Sequence, residues 1–452
     1  MIRTKLNWYQ EEALERALPF DGFLLFMEQR TGKTLTALSI VDKRKPKHLW
    51  IICPINAIPV WTKQIAEHLK VDWKCKLVIM NHEELASRKK RRNYYKRMRE
   101  IGSDCFIIGD ELHKGMRKRG TQVSRAMRHI AKMARWRLGL TGTPMDKVTA
   151  ELWPQFDFAD PSVFGRFDSL LDDQTGAIIE KGFKDRYLIM GGWRNLKVVG
   201  TQREEEFFEI VRRHSYRITL REARGKDRPL MLRFSQEKFE LDQSTRELYD
   251  ELEEKLEVEV NKKRVKAKVV IALSMKLQQL CGGFVNTEEG PEIVGNEKLR
   301  KLLKIVRKLK SERKKFVIVC RFLYEIERIC ARLKSRGITV QVVSGGRPYN
   351  HKFVEDGVVI QVQSGVAVDM SAADHILLYS WDYSHINHEQ MRFRVLNLHK
   401  PFASFHYLLA CDTIDELIYA SARRKRDFVS LVLDRYRRRP TSGKTRTNPQ
   451  RR

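Results

Sequence analysis

The segment MEQRTGKT, from Met27 to Thr34, combines a glycine, a lysine and a hydroxyl group in an order suited to binding phosphate groups. The phosphate-binding pattern is G-x-x-x-x-G-K-[ST], and this chain has Met27 in place of its first glycine. Gly32 would admit a close approach of the backbone, Lys33 would neutralise the β and γ phosphates, and Thr34 would bind Mg²⁺. We expect an ATP site, with a chance G-K-T at a helix start as the alternative.

An acidic pair supplies the second half of such a site. Asp110 and Glu111 follow the apolar run CFIIG, so they are expected at the end of a strand. Asp110 would hold the metal, and Glu111 would orient and polarise the attacking water. The alternative is a surface acidic pair, which the G-K-T element upstream makes less favourable.

The elements that must position these residues alternate between strand-like and helix-like segments. Short apolar runs, FLLFM, HLWIICP, KLVIM, CFIIGDE and RLGLTGTP, end at Gly, Pro, Asp or Asn, and amphipathic stretches such as TLTALSIVDK lie between some of them. The alternation resumes later with KKFVIVCRF, ITVQVVSGG, GVVIQVQSG and DHILLYSWD. This pattern predicts parallel sheets with crossover helices, hence an α/β protein.

The middle of the chain is predicted to be mostly helical. ELYDELEEKLEVEV places Leu248, Leu252 and Leu256 on one helical face, and VVIALSMKLQQL ends before Gly282 and Gly283, which suit a C-terminal cap. We therefore predict an ATP-binding domain (1–160), a mostly helical region (161–290), a second α/β domain (291–435) and a basic flexible tail (436–452).

The charge of the chain points to a polyanionic partner. Its 87 Lys and Arg exceed its 57 Asp and Glu, for a formal net charge of +30. Nucleic acid is the commonest partner of such a protein, and a merely soluble basic surface is the alternative. The cluster RKKRRNYYKRMRE could supply contacts through Arg88, Lys89, Arg91, Arg92 and Lys96, with Tyr94 and Tyr95 stacking on bases. A solvated helix face is the equal alternative there.

Cysteine usage and hydropathy suggest a cytoplasmic protein. The seven cysteines are scattered, mostly in apolar runs, and form no C-x-x-C pair, so they are expected to be reduced core residues. No signal core precedes the first domain, and the longest apolar stretch is broken by Pro54 and Pro59, so no membrane association is expected. Trp61 and Trp381 are interpreted as packing residues.

Several motifs together resemble superfamily 2 helicases of the Snf2-related branch. DELH (Asp110 to His113) is similar to the family's D-E-x-H motif, and LTGTPM (Leu140 to Met145) to its third motif. Further similarities follow in the family's order: LNWYQ, CPINAIPVWTKQI, ELWPQFDFADPSVFG, KLQQLCGG, KFVIVCRF, VSGGR, QSGVAVDMSAADHILLYSWDYS, HEQMRFR and DTIDELIY. The resemblance is strongest to compact bacteriophage versions, in which an R-T-G-K-T loop without the leading glycine is familiar.

The resemblance implies a fold and residue roles. It implies two RecA-like domains with ATP in the cleft between them, and nucleic acid lying across both. Gln10 would read adenine, while His113, Thr141 and Thr143 would couple the metal site to the strand-binding face. The remaining nucleotide contacts would be Arg30 and Thr31 in the loop, Asp369 in the fifth motif, and Gln390 and Arg394 in the sixth.

Two positions depart from the family pattern. The second arginine of the sixth motif, which acts as a finger on the γ-phosphate, is replaced by Asn397, so Arg392 or Arg394 would have to substitute or hydrolysis would be slow. Ala367 stands where the fifth motif has glycine.

The expected function is an ATP- and Mg²⁺-dependent DNA motor. The resemblance favours a helicase on branched or forked DNA in recombination, repair or replication. The expected location is the cytoplasm, that of a bacterial host if the protein is phage-encoded. The sequence does not fix the oligomeric state, and a monomer is plausible. The alternatives are a duplex translocase that does not separate strands, an RNA-directed motor, and a nucleic-acid-binding module with a weakened ATPase.

Overall fold

The computed structural model describes residues 2–69, 74–145, 148–172, 175, 177–192, 197–225, 231–262, 266–344, 355–362, 370–383, 388, 391, 394–396, 400, 402–424 and 428–437. The chain divides into two compact units, Met1–Pro229 and Leu230–Arg452. Among the described helices, none combines the length and the apolar character needed to span a bilayer.

The first unit contains ten strands and ten α-helices among its described residues. The strands are β1 (Gly22–Met27), β2 (His48–Cys53), β3 (Lys76–Asn81), β4 (Cys105–Gly109), β5 (Trp136–Leu140), β6 (Leu170–Leu171), β7 (Ile178–Glu180), β8 (Leu188–Gly191), β9 (Lys197–Thr201) and β10 (Ser215–Ile218). The helices are α1 (Trp8–Ala17), α2 (Lys33–Arg44), α3 (Ile58–His68), α4 (Arg88–Ile101), α5 (Leu112–Met116), α6 (Gln122–Ala131), α7 (Trp153–Ala159), α8 (Phe183–Tyr187), α9 (Glu204–Arg213) and α10 (Leu220–Arg224). Three short 3₁₀ helices lie at Ile55–Ala57, His82–Ala86 and Thr149–Glu151.

Six of these strands form a parallel sheet in the order β10-β1-β5-β4-β2-β3. Strands β1 and β4 are buried at every position, as expected for central strands covered on both faces by helices. Because all the strands run in one direction, their carboxyl ends meet at one edge, the strand-end edge. The loops after β1, β4 and β5, which carry the predicted site residues, all leave from that edge.

The second unit repeats this architecture. Its strands are β11 (Met231–Phe239), β12 (Phe284–Thr287), β13 (Gly290–Ile293), β14 (Phe316–Cys320), β15 (Val340–Val343), β16 (Gly357–Gln361), β17 (His375–Leu378) and β18 (Phe402–Ala410). Its helices are α11 (Gln243–Val260), α12 (Ala267–Cys281), α13 (Glu297–Ser311), α14 (Leu323–Lys334), α15 (Ile414–Arg424) and α16 (Phe428–Arg437). Six strands pair in parallel in the order β11-β18-β17-β14-β16-β15.

The predicted fold class is confirmed. The nine apolar runs of the sequence correspond to β1–β5 and to β14–β17, and the two parallel sheets make the chain an α/β protein. The four-part division stays a prediction. The structure adds that the middle region contributes to both sheets, since β10 pairs with β1 and β11 pairs with β18.

The helix predicted around Leu248, Leu252 and Leu256 forms as α11, but its buried face is not centred on these leucines. Leu248 is 43% exposed, whereas the buried face of α11 carries Tyr249, Glu253 and Leu256. The polar members of this face are hydrogen bonded: Tyr249 Oη accepts from the Ile414 backbone at 2.7 Å, and the Tyr436 hydroxyl donates to Glu253 Oε1 at 2.7 Å. A hydrogen-bonded tyrosine and glutamate therefore occupy the interior where leucine spacing suggested an apolar stripe.

Candidate functional site

The loop between β1 and α2 forms a compact turn at the strand-end edge. Gly32 caps α2 with φ of 79°, and a side chain there would also meet Gln10 Nε2 at 2.3 Å, so only glycine fits. Met27, at the position of the missing glycine, is the last residue of β1 and is fully buried. Arg30 takes up the left-handed backbone instead, with φ of 68°. The loop therefore turns without a leading glycine.

Lys33 and Thr34 open the helix that follows. Lys33 Nζ donates to the Met27 carbonyl at 2.9 Å, which aims the ammonium group back across the loop. Thr34 is half-buried in the first turn of α2, where backbone N–H groups point outward. Thr31 is buried, and its hydroxyl donates to the Glu28 carbonyl at 2.7 Å. Such a turn at a helix N-terminus suits a bound phosphate.

Gln10 supports the loop from α1. Its amide group donates to the Thr31 and Gly32 carbonyls at 3.3 Å each, and its Oε1 accepts from the Asn7 backbone at 2.9 Å. The side chain is 1% exposed. The contact between Gln10 and adenine stays a prediction. The structure shows, in addition, that Gln10 is hydrogen bonded directly to the phosphate loop, the loop between β1 and α2.

The acidic pair lies at the end of β4, as the sequence predicts. Asp110 Oδ1 accepts from the Glu111 backbone at 2.8 Å, and Oδ2 accepts from Trp61 Nε1 at 2.8 Å. Burial, together with the Glu111 charge, raises the pKa of Asp110 to about 6, against the opposing effects of the Trp61 bond and the Lys33 charge. Glu111 adopts φ of 46°, a strained conformation for a residue with a side chain.

His113 connects this pair to the segment after β5. Its Nδ1 lies 2.8 Å from Thr141 Oγ1, 3.4 Å from Thr143 Oγ1 and 3.3 Å from Glu111 Oε2. Burial lowers the pKa of His113 to about 4, with Glu111 opposing the change, so the ring is neutral at pH 7. The predicted coupling residues are therefore brought together around one imidazole nitrogen.

The segment after β5 also lies against the phosphate loop. A side chain at Gly142 would come within 3.3 Å of Gln29 N and 3.4 Å of the Met27 carbonyl. The Thr143 backbone N–H donates to Thr141 Oγ1 at 3.1 Å, which fixes the turn. A change at a bound γ-phosphate could therefore reach both the loop and His113 through adjacent atoms.

The sequence reasoning missed the role of Trp61. We interpreted it as a packing residue, and it is buried at 1% exposure, but its indole N–H binds the Asp110 carboxylate. No motif links two residues so far apart in sequence. The link arises because β2 pairs with β4, so α3, which follows β2, lies beside the end of β4.

The donor set suits Mg²⁺. Asp110 offers a carboxylate and Thr34 a hydroxyl, which are hard oxygen ligands of the kind this cation takes together with substrate phosphates. The mutual repulsion of Asp110 and Glu111, which contributes to the raised pKa of Asp110, would be relieved by a cation at that carboxylate.

The residues predicted in the second unit are less fully described. Arg394 is half-buried, and its carbonyl accepts from the Met370 backbone at 3.1 Å. Asp369 and Gln390 lie outside the described residues, as do Ala367, Arg392 and Asn397. Their roles stay predictions.

The predicted nucleic-acid cluster forms α4. Arg88, Lys89, Arg92 and Lys96 are exposed, whereas Arg91 is half-buried and donates to the Leu85 carbonyl at 2.9 Å. The two tyrosines do not form an exposed platform. Tyr94 donates to Glu84 Oε2 at 2.5 Å and packs edge-on against Trp50, and Tyr95 packs against His129. Both rings are half-buried and attach α4 to the unit, so the suggestion that they stack on bases finds no support in their contacts.

A parallel α/β sheet with a G-K-T loop and an Asp-Glu pair at its strand-end edge defines a P-loop nucleotide-binding protein. The family model described as SNF2-related domain matches residues 4–282. The chain belongs to this SNF2-related family, a class of superfamily 2 ATPase motors.

Two curated relatives are described as uncharacterized ATP-dependent helicases. That of Mycoplasma pneumoniae is 21% identical over 95% of this chain and 42% of its own length. That of Mycoplasma genitalium is 21% identical over 73% of this chain and 30% of its own length. The chain thus spans less than half the length of these relatives.

Solved structures from Sulfolobus solfataricus are also similar. The SWI2/SNF2 ATPase core in complex with dsDNA is 18% identical, with a TM-score of 0.42 and coverage of 96% of this chain and 94% of that one. The SWI2/SNF2 ATPase core domain alone is 17% identical, with a TM-score of 0.40 and coverage of 94% and 89%.

Replacing Trp61 by Phe should test the hydrogen bond to Asp110. Phenylalanine keeps the buried aromatic packing but cannot donate, so the Asp110 carboxylate loses a bond that favours its ionised form. We expect ATP turnover to fall about tenfold at pH 7, from the loss of about 1.4 kcal/mol of carboxylate stabilisation, and excess Mg²⁺ to restore part of it.

The control for this variant is Trp8→Phe, because Trp8 is 59% exposed on α1. An unchanged Mg²⁺ dependence in Trp61→Phe would mean that Trp61 only packs.

Proposed function

We propose that this chain is an ATP-dependent DNA motor, which hydrolyses ATP with Mg²⁺ and acts as a helicase on branched or forked DNA. The observation that carries the ATPase part is the convergence of Lys33, Asp110, Glu111 and His113 at one sheet edge. The membership of the SNF2-related family supports it. The preference for branched DNA, and a role in recombination, repair or replication of a phage-like system, rest on the sequence resemblance alone.

The chemistry follows from the geometry of the first unit. Lys33 and the backbone N–H groups at the start of α2 would bind the β and γ phosphates. Bound through Thr34 and Asp110, Mg²⁺ would supply positive charge beside the phosphates. Glu111 would orient a water molecule for attack on the γ-phosphate and accept its proton.

The coupling of ATP hydrolysis to movement would start at the Glu111 carboxylate and the His113 imidazole. Glu111 lies 3.3 Å from His113 Nδ1, and that nitrogen reaches Thr141 and Thr143. Loss of the γ-phosphate would change the charge near Glu111 and hence the contacts made by this imidazole. The turn that holds Gly142 against the loop would pass the change to the rest of the unit.

Charge supports DNA as the partner. The formal net charge of +30 favours a polyanion, and Arg88, Lys89, Arg92 and Lys96 project from α4 into solvent. We infer that the exposed face of α4 contributes phosphate contacts. Arg91 contributes less, because its guanidinium is engaged by the Leu85 carbonyl. The tyrosines of this helix are packed and take no part.

The test is steady-state ATP hydrolysis with Mg²⁺, measured without nucleic acid and then with single-stranded, duplex, forked or four-way-junction DNA, or RNA. We expect the largest stimulation from forked or four-way-junction DNA, and displacement of a strand from the fork. A mock preparation from cells lacking the gene controls for contaminating ATPases.

The alternatives predict different results. Stimulation by duplex DNA with displacement of a triplex strand but not of a forked strand would identify a duplex translocase. Greater stimulation by RNA than by DNA would overturn the DNA assignment. Tight DNA binding without turnover on any substrate would identify a binding module with a weakened ATPase.

A further inference from the structure

A cavity of about 470 Å³ opens on the first unit, and none of its lining residues belongs to the nucleotide loop, the loop between β1 and α2. It is bounded by the end of α6, the start of α7 and the segment after α7. Four cationic and two acidic side chains line it: Arg119, Arg128, Lys132, Arg166, Asp157 and Asp168. Nothing in the proposed ATPase mechanism uses these residues.

The cavity carries an excess of positive charge. Asp157 pairs with Arg128 at 3.0 Å and with Lys132 at 3.6 Å, and Asp168 pairs with Arg119 at 3.0 Å. Four positive groups against two carboxylates leave two positive charges uncompensated among the lining residues. Arg166 is exposed and has no ion-pair partner among the residues that the structure describes.

The walls of the cavity are held in place before any ligand binds. Arg128 donates to the Ser124 and Arg119 carbonyls at 3.3 and 2.8 Å, and it lies 5.0 Å from the Trp153 ring. Trp153 Nε1 donates to the Gly165 carbonyl at 3.2 Å, which ties the segment after α7 to the helix. A fixed arrangement of guanidinium groups lowers the ordering cost of binding an anion.

None of the residues that line the cavity belongs to the loop between β1 and α2. Lys132 lies four residues before β5 begins, and the end of α7 adjoins the start of β1, where a side chain at Gly22 would meet the Ala159 carbonyl. The nucleotide loop follows the end of β1. The ends of α6 and α7, which carry part of the lining, therefore lie toward the opposite end of the strands from that loop.

We propose that this cavity binds a phosphodiester group of DNA, as an anchoring site separate from the nucleotide loop. A guanidinium group can donate two parallel hydrogen bonds to the oxygens of one phosphate. The two excess positive charges match the negative charges of two adjacent phosphodiester groups. Lys132, with half of its side chain exposed, and Arg166 stand at the opening and make the contacts. The inference rests on the proposed function, because it assigns part of the motor's DNA to this cavity.

The test compares the double variant Lys132→Ala/Arg166→Ala with Lys43→Ala/Arg125→Ala, which removes two exposed cations outside the cavity. Duplex DNA affinity is measured by fluorescence anisotropy over a series of salt concentrations. We expect the cavity variant to bind about tenfold more weakly than the control, with a slope of log affinity against log salt shallower by about 1.8, as for two lost phosphate contacts. ATP hydrolysis without DNA should be unchanged, which shows that the variant is folded.

Three outcomes overturn the inference. Equal affinity and slope in the two variants would show that the cavity does not contact DNA, while leaving the motor intact. Binding of inorganic phosphate that requires Arg166, without any change in DNA affinity, would assign the cavity to a small anion. Failure of the wild-type chain to bind DNA would overturn both this inference and the proposed function.

Discussion

The Lys33→Ala variant is expected to hydrolyse ATP about 10² to 10³ times more slowly than the wild type, as when one preorganised donor to a charged transition state is removed. Lys33 opens α2 directly after the loop, and its ammonium group is held across the loop by the Met27 carbonyl. Alanine keeps the helix start but removes the charge that would bind the phosphates. Nucleotide affinity should fall as well, measured with a fluorescent ATP analogue.

A matched control exists on the same helix. Lys43 is exposed in the last turn of α2, so Lys43→Ala removes an equal charge at a distance from the loop. Its turnover should equal that of the wild type. Wild-type turnover in Lys33→Ala would place the ATPase elsewhere and would refute the assignment of the loop.

The fold was largely predictable because its central strands are buried on both faces. Continuous apolar runs such as those of β1, β4 and β14 have few other uses in a globular chain, and Gly, Pro or Asp marks their ends. Other strands were not identified, among them the apolar β18 and the more polar β10. SYRI, which forms β10, carries a serine and an arginine and becomes a strand because β1 offers a free edge beside it.

Local motifs indicated which residues could carry out the chemistry, but not which residues hold them in position. Lys33, Asp110 and Glu111 are recognisable because each acts close to its own turn or strand end. Trp61 and Gln10 act across distances in sequence that only the order of strands in the sheet brings together. The motif can also understate the structure. The first glycine of the pattern is missing, yet Arg30 provides the positive φ that the turn needs.

The sequence predicted how much positive charge the chain carries but not where on the surface the charged residues come together. The net charge of +30 indicates a polyanion, but residues from three separate segments form the cationic cavity, and no spacing along the chain reveals it. In the same way, the alternation of Tyr94 and Tyr95 with arginines suggested stacking on bases. The packing of both rings against the first unit shows that the helix uses them for its own attachment.

Glu111→Gln should separate nucleotide binding from hydrolysis. Glutamine has nearly the same shape but cannot accept the proton of the attacking water, so we expect turnover to fall by about 10² to 10⁴. Binding should be kept, in contrast to Lys33→Ala. The loss should be absent from Glu15→Gln, since Glu15 is exposed on α1.

The same variant makes a prediction about pH. The Glu111 charge contributes to raising the pKa of Asp110 to about 6, so removing it should lower that pKa and keep Asp110 ionised in more acidic solution. Wild-type binding of Mg²⁺ and ATP should weaken as the pH falls through about 6, because a protonated Asp110 is a poor metal ligand. In Glu111→Gln this weakening should begin at a lower pH, as measured by titration with a fluorescent ATP analogue. If both proteins lose binding at the same pH, the Glu111 charge does not raise the pKa of Asp110, and this part of the proposed electrostatics is wrong.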